Sequence, residues 1–145
     1  MSSVEKEVAA ARQVFGHWIN GGEAPHAGAT LAVTNPATGR VVRSVADGGE
    51  AAVRAAVDAA AAAFPAWRAT PPAKRARCMF RYRELLEQHA DEICALLTEE
   101  HGKVLEDARG ELARGIEVVD FACGAPELLK GEHSKDTGPG IDSWA

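Results

Sequence analysis

The chain has 145 residues, with 16 lysines and arginines against 21 aspartates and glutamates, a formal net charge of −5. Apolar types make up 46% and charged types 26%, near globular averages, which excludes a disordered tail; the acidic balance speaks against a nucleic-acid partner. The longest apolar run, Ala59–Phe64, falls far short of the ~20 residues that cross a bilayer, and no apolar signal core follows Lys6 and Arg12, so a cytoplasmic protein without a membrane partner is expected.

In chain order, residues 1–16 read as a loosely attached leader, with a short helix over Ser2–Phe15 that carries few large apolar side chains. His17–Asn20 is a short strand that enters a tight turn at Gly21-Gly22, because glycine supplies positive φ. Leu31–Thr34 is a second strand running into Asn35-Pro36-Ala37-Thr38-Gly39 and back along Arg40–Val45. Asn starts that turn, Pro fixes φ at its first central position, and Gly takes the left-handed position of a bulged hairpin.

Asp47 and Glu50 have the spacing of a capping box. The helix that follows places Val53, Val57, Ala60 and Phe64 on one face, and Pro65 is expected to stop it. Thr70-Pro71-Pro72 starts a second helix, with Met79 and Leu86 inward and Lys74, Arg75, Arg77, Arg81 and Arg83 mostly outward. His89-Ala90-Asp91 breaks it, and Ile93, Leu96 and Leu97 mark a third helix closed by Gly102. A fourth begins near Val104, carries Leu105, Ala108, Leu112, Ile116, Val119 and Cys123 at helical spacing, and has room to run to Lys130. Gly110, Gly115 and Gly124 each cost about 1 kcal/mol there against alanine, which implies close packing against another element. Beyond Gly131 the chain is polar until Ile141–Ala145, which reads as the opening of a strand without a partner of its own. A hairpin, four helices and half a strand close no layer architecture, so truncation is expected.

The residues offer little chemistry. Cys78, Cys94 and Cys123 form no C-x-x-C pair and lie in predicted helices, where burial as small hydrophobes outweighs a nucleophilic role. His17, His26, His89, His101 and His133 form no H-x-x-x-H or H-E-x-x-H pair, which argues against a metal site. Glu99-Glu100-His101-Gly102-Lys103 reads as a solvated helix end with a glycine stop, and Arg75, Arg77, Arg81 and Arg83 as a charged helix face. No phosphate-cradling glycine motif occurs; Gly21-Gly22 and Gly48-Gly49 lack the strand–loop–helix context. No catalytic, cofactor-binding or metal-binding residue is assigned.

The chain nevertheless resembles the amino-terminal part of the aldehyde dehydrogenase superfamily. The resemblance is carried by Asn20-Gly21-Gly22, Asn35–Gly39, Ala63-Phe64-Pro65-Ala66-Trp67, and Glu99-x-His101-Gly102-Lys103 leading into Glu106–Glu111. Thr70–Arg77, Arg114–Val119, Phe121–Gly124, Leu128–Glu132 and Gly140–Ser143 are similar to the CoA-acylating methylmalonate-semialdehyde dehydrogenases. The resemblance covers roughly His17 to Ala145.

It implies an α/β fold with a Rossmann-type cofactor domain, of which this chain would supply a mostly α-helical portion with an amino-terminal β-hairpin. Residues 17–140 would be the first part of the NAD-binding domain, and 141–145 the start of an oligomerisation-arm strand. The implied reaction oxidises methylmalonate or malonate semialdehyde with NAD, passes the acyl group to CoA and loses carbon dioxide, in a tetrameric enzyme of valine or inositol catabolism. The family's nucleophilic cysteine and oxyanion-stabilising asparagine match no position here, so the chain alone is expected to be inactive and to bind neither NAD nor CoA well. Two other readings compete: a stand-alone helical interaction module, which predicts a cooperative monomer, and a small cysteine enzyme, which needs an activated thiol. The dehydrogenase fragment ranks first.

Overall fold

The computed structural model describes residues 14–24, 26 and 28–145. Two small sheets come first: β1 (Val14–Phe15), β2 (His17–Ile19), β3 (Gly22–Ala24), β4 (Thr30–Asn35) and β5 (Arg40–Ala46). Five helices follow, α1 (Gly49–Ala69), α2 (Pro72–Gln88), α3 (Ala90–His101), α4 (Leu105–Cys123) and α5 (Ala125–Leu128), and then β6 (His133–Gly138) and β7 (Ile141–Trp144). Most of the helix expected over Ser2–Phe15 lies outside the described residues, but its last two residues are extended. Val14 and Phe15 pair in parallel with Ser44 and Val45, giving a sheet of order β1-β5-β4.

The turns follow local backbone chemistry. Asn20 (φ 55°) and Gly21 (φ 78°) are the left-handed pair joining β2 to β3, so the turn sits one residue earlier than Gly21-Gly22, and Gly22 belongs to the strand. Between β4 and β5, Asn35 Oδ1 accepts from the Ala37 amide at 2.9 Å and the Asn35 carbonyl accepts from the Gly39 amide at 2.8 Å. Gly39 takes φ 68°, where a side chain would be strained. The bulge lies further along: Val33 faces Arg43 and Thr34 faces Val41, which leaves Val42 without an opposite residue.

Helix boundaries differ from expectation in three places. The capping box is not formed: Gly48 is the N-cap of α1, without a side-chain cap, because the Asp47 amide extends the β4–β5 pairing to the Ala29 carbonyl at 2.9 Å. Pro65 does not stop α1, which continues to Ala69. The proline removes one donor, but Ala61, whose carbonyl loses it, is exposed and meets water. The helix ends where Thr70 turns outward, its hydroxyl donating to the Ala66 carbonyl at 3.0 Å, ahead of Pro71 and Pro72. Finally, the last long helix ends at Cys123; the Gly124 amide bonds the Phe121 carbonyl at 3.0 Å, and Pro126 has no amide to continue the ladder.

The expected lone strand at Ile141 has a partner. β7 pairs antiparallel with β6, Gly138 facing Ile141 across a Pro139-Gly140 turn with Gly140 at φ 73°. Reciprocal 2.9 Å bonds between Glu132 and Ala145 extend the ladder, and the His133 and Trp144 rings lie 4.0 Å apart.

Helices α2, α3 and α4 pack on one another around Ala76, Cys94, Ala108, Val119 and Cys123, the buried apolar residues among those described. These are small side chains, so the core brings little area out of water. The helical glycines do not mark tight packing: a Cβ on Gly115 would meet open space, and one on Gly110 only the end of Arg114.

Candidate functional site

The Asn35–Gly39 turn and the Glu99–Lys103 stretch, far apart in sequence, form one junction. Gly102 ends α3 at φ 83°, its amide donating to the Thr98 carbonyl at 2.9 Å, which is the left-handed C-cap. A Cβ there would lie 2.7 Å from Pro36 Cγ, so the proline ring rests on the bare glycine. From β5, Arg43 donates through one terminal nitrogen to Glu99 and through the other to Glu100. Lys103 pairs with Glu111 of α4, which holds the Glu111 carboxyl below its ordinary 4.5 through the hydrogen bond first and the charge second. These groups are thus engaged with one another as a clasp. Glu99 and Glu100 are not simply a solvated face, because Arg43 reaches across from the sheet.

Two arginines of the basic face of α2 are likewise engaged. Arg81 pairs with Glu84; Arg83 bonds Asp120 of α4 and, at 2.7 Å, Glu87, and these hydrogen bonds, Asp120's first, raise the Arg83 pKa above its ordinary value. The charge of Arg83 is thereby compensated.

The cysteines divide. Cys94 is fully buried between α3 and α4, and Cys123 is buried at the end of α4. Cys78 is exposed on α2, contrary to its expected burial, because it lies off the α2 face that meets α4. Among the described residues no base bonds its thiol.

One arrangement has no sequence signal. His17 and His26 meet edge to face with ring centres 6.1 Å apart, beside Gly48 at the start of α1. Their Nε2 atoms are shielded and accept or donate no hydrogen bond among the described residues. Neither H-x-x-x-H spacing nor helical periodicity marks such a pair, since strand β2 delivers His17 and His26 lies beyond the end of β3. Among the described residues no group of three or more His, Cys, Asp or Glu side chains could hold a metal ion. No helix among them is long and apolar enough to cross a membrane.

The junction, the hairpins and the helix order are those of a known fold. The aldehyde dehydrogenase family profile matches residues 23–143, and the chain belongs to that family. A malonate-semialdehyde dehydrogenase of Pseudomonas aeruginosa is 53% identical over 129 residues, 89% of this chain and 26% of that protein. The crystal structure of a methylmalonate-semialdehyde dehydrogenase from Oceanimonas doudoroffii superposes with a TM-score of 0.82 at 59% identity, covering 90% of this chain and 27% of that one. A Sinorhizobium meliloti structure described as a methylmalonate-semialdehyde dehydrogenase in complex with NAD gives 0.81 at 40% identity, over 92% of this chain and 27% of that one. The chain spans about a quarter of the length of these relatives.

Two features of the described residues speak against a dinucleotide site among them. Contrary to expectation, Gly48-Gly49 does lie between a strand and a helix, since it joins β5 to α1, but the parallel pairing is only two residues long. The first turns of α1, α3 and α4 carry Glu50, Asp91 with Glu92, and Glu106 with Asp107, charges that repel a pyrophosphate.

Proposed function

We propose that this chain is the amino-terminal quarter of an NAD-dependent, CoA-acylating dehydrogenase that converts malonate or methylmalonate semialdehyde to acetyl- or propionyl-CoA with loss of carbon dioxide. The observation that carries the reading is the match to the Oceanimonas enzyme, at 59% identity and a TM-score of 0.82 over 90% of the chain. In this reading residues 17–140 are the outer part of the cofactor domain, and the β6–β7 hairpin is the root of an arm that joins subunits into a cytoplasmic homotetramer. The chain's own contribution is scaffolding. Arg43, Glu99, Glu100 and the Pro36–Gly102 contact fix the sheet against the helices, and no residue of the chain is assigned to the chemistry.

The reading is tested by a chimera in which this chain replaces the matching quarter of the Pseudomonas malonate-semialdehyde dehydrogenase. Purified chimera should form NADH from malonate semialdehyde in the presence of CoA at a rate comparable to its parent. The chain by itself should form none. A folded, oligomeric chimera without CoA-dependent turnover would sink the proposal, as would turnover by the isolated chain.

A further inference from the structure

The face of α1 is the largest unexplained feature of the molecule. Val53, Val57, Ala60, Phe64 and Trp67 recur at spacings of four and three, so they form a straight apolar stripe along about 21 Å of helix. Alternating steps of four and three are those of a coiled-coil seam, and Ala60 at its middle leaves room for a close neighbour. Yet nothing among the described residues covers it: Val53, Val57 and Phe64 are 63%, 59% and 56% exposed. The stripe also leads somewhere at each end. Val53 lines a groove of about 550 Å³ with Trp18, which is itself three-quarters exposed. Trp67 lines an apolar groove of about 250 Å³ with Met79 and Leu129.

The exposed area sets the size of what is missing. The chain presents 10854 Å² to solvent. A folded protein of 15.3 kDa exposes about 7,100 Å². The difference is about 3,750 Å², and half of it alone is about 1,900 Å². Counted on both partners, even that half is about 3,800 Å² of interface, in the range of obligate assemblies and well above the ~1,600 Å² of an ordinary complex. A second copy seated on α1 would cover only one face. Val118 and Phe121 on α4, 69% and 71% exposed, would stay open. A partner that wraps more than one face is needed, and the family fold extends for about three times the length of this chain beyond the part it matches.

We propose that the α1 stripe, with the grooves beside Trp18 and Trp67, is the seat of the remaining three quarters of an aldehyde dehydrogenase fold, and that it binds this remainder even as a separate polypeptide. This rests on the proposed function and adds to it a specific surface and a mode of assembly. The partner surface is an apolar one, with a helix lying along α1 at Ala60.

The test uses the full 145-residue chain, co-expressed with the complementary three quarters of the Pseudomonas malonate-semialdehyde dehydrogenase as the probe. Co-purification as a complex, and size-exclusion chromatography of that complex, are the readouts. Val57→Asp puts an unpaired charge at the centre of the seat and should weaken association at least about a hundredfold. Asp58→Lys, on the opposite side of the same helix, should leave it unchanged. Since Val57 is already exposed in the free chain, circular dichroism of the Val57→Asp chain should match wild type, which separates loss of binding from loss of fold. The inference is overturned if Val57→Asp associates as well as wild type. It is equally overturned if wild type forms a homodimer that Val57→Asp dissolves while the probe stays unbound. An active chimera whose two parts ignore the α1 variants would reject this seat alone; an inactive chimera rejects the function proposed above.

Discussion

Replacing Gly102 with alanine tests how the sheet is held against α3. Two penalties meet at that position. Gly102 sits at φ 83°, and the left-handed conformation costs a residue with a Cβ about 1–2 kcal/mol. The added methyl would lie 2.7 Å from Pro36 Cγ, closer than carbon atoms approach without movement, and overpacking of this kind costs about 1–3 kcal/mol. The stiffer unfolded chain offsets about 0.4–1 kcal/mol. Together these give a net destabilisation of about 2–3 kcal/mol, a fall in Tm on the order of 6–10 °C for a chain of this size. Urea and thermal unfolding of wild type, Gly102→Ala, Pro36→Ala and the double variant would measure it. The double-mutant cycle should return a coupling of about 1 kcal/mol or more, because without the proline ring alanine meets only the φ penalty. If Gly102→Ala is neutral, or its cost is the same with and without Pro36, the turn does not rest on this glycine and the reasoning fails.

The Lys103–Glu111 pair predicts a pH dependence. Glu111 is depressed below its ordinary 4.5, so its stabilisation is complete above that value and is lost as pH falls through the lower folded value. The Tm difference between wild type and Glu111→Gln should therefore shrink towards zero on acidification below 4.5, and a difference that ignores pH would contradict the pairing. Thiol labelling of the folded chain should modify Cys78 first, with Cys94 and Cys123 reacting only after denaturation. Equal labelling of all three would show that the helices do not pack as described.

The sequence announced its structure where local backbone chemistry decides it. The Asn35–Gly39 turn, the Thr70-Pro71-Pro72 helix start and the Gly102 stop each follow from a residue whose φ or missing donor leaves few choices. Misreadings cluster where a distant partner outweighs the local signal. Asp47 had the spacing of an N-cap, but its amide is drawn into the sheet by Ala29. Pro65 had the appearance of a stop, but the alanines around it favour helix and the freed carbonyl is solvated. β6 was invisible because both faces of the β6–β7 hairpin are exposed, so no alternation of apolar and polar residues marks it. The clasp was half legible: the turn and the glycine stop were expected separately, but nothing in either says that Arg43 joins them to Glu99 and Glu100. Pattern reading finds faces and turns; it does not find which face meets which.

That clasp also decides how the molecule can come apart. The sheet with α1 and the bundle of α2, α3 and α4 are joined covalently at Thr70-Pro71 and, on the other side, by Arg43 and Pro36 against the end of α3. The Arg43–Glu100 contact spans 57 positions, so it closes a ring of chain through which α1 and α2 both pass. Opening it converts a ring into a hinge whose pivot is a proline pair with two of its φ angles already fixed. The halves would then swing as preformed bodies, each keeping its internal hydrogen bonds, in an opening smaller than global unfolding. A few side chains at one corner would thereby set the angle between the two halves, and with it the shape presented by the whole quarter of the fold.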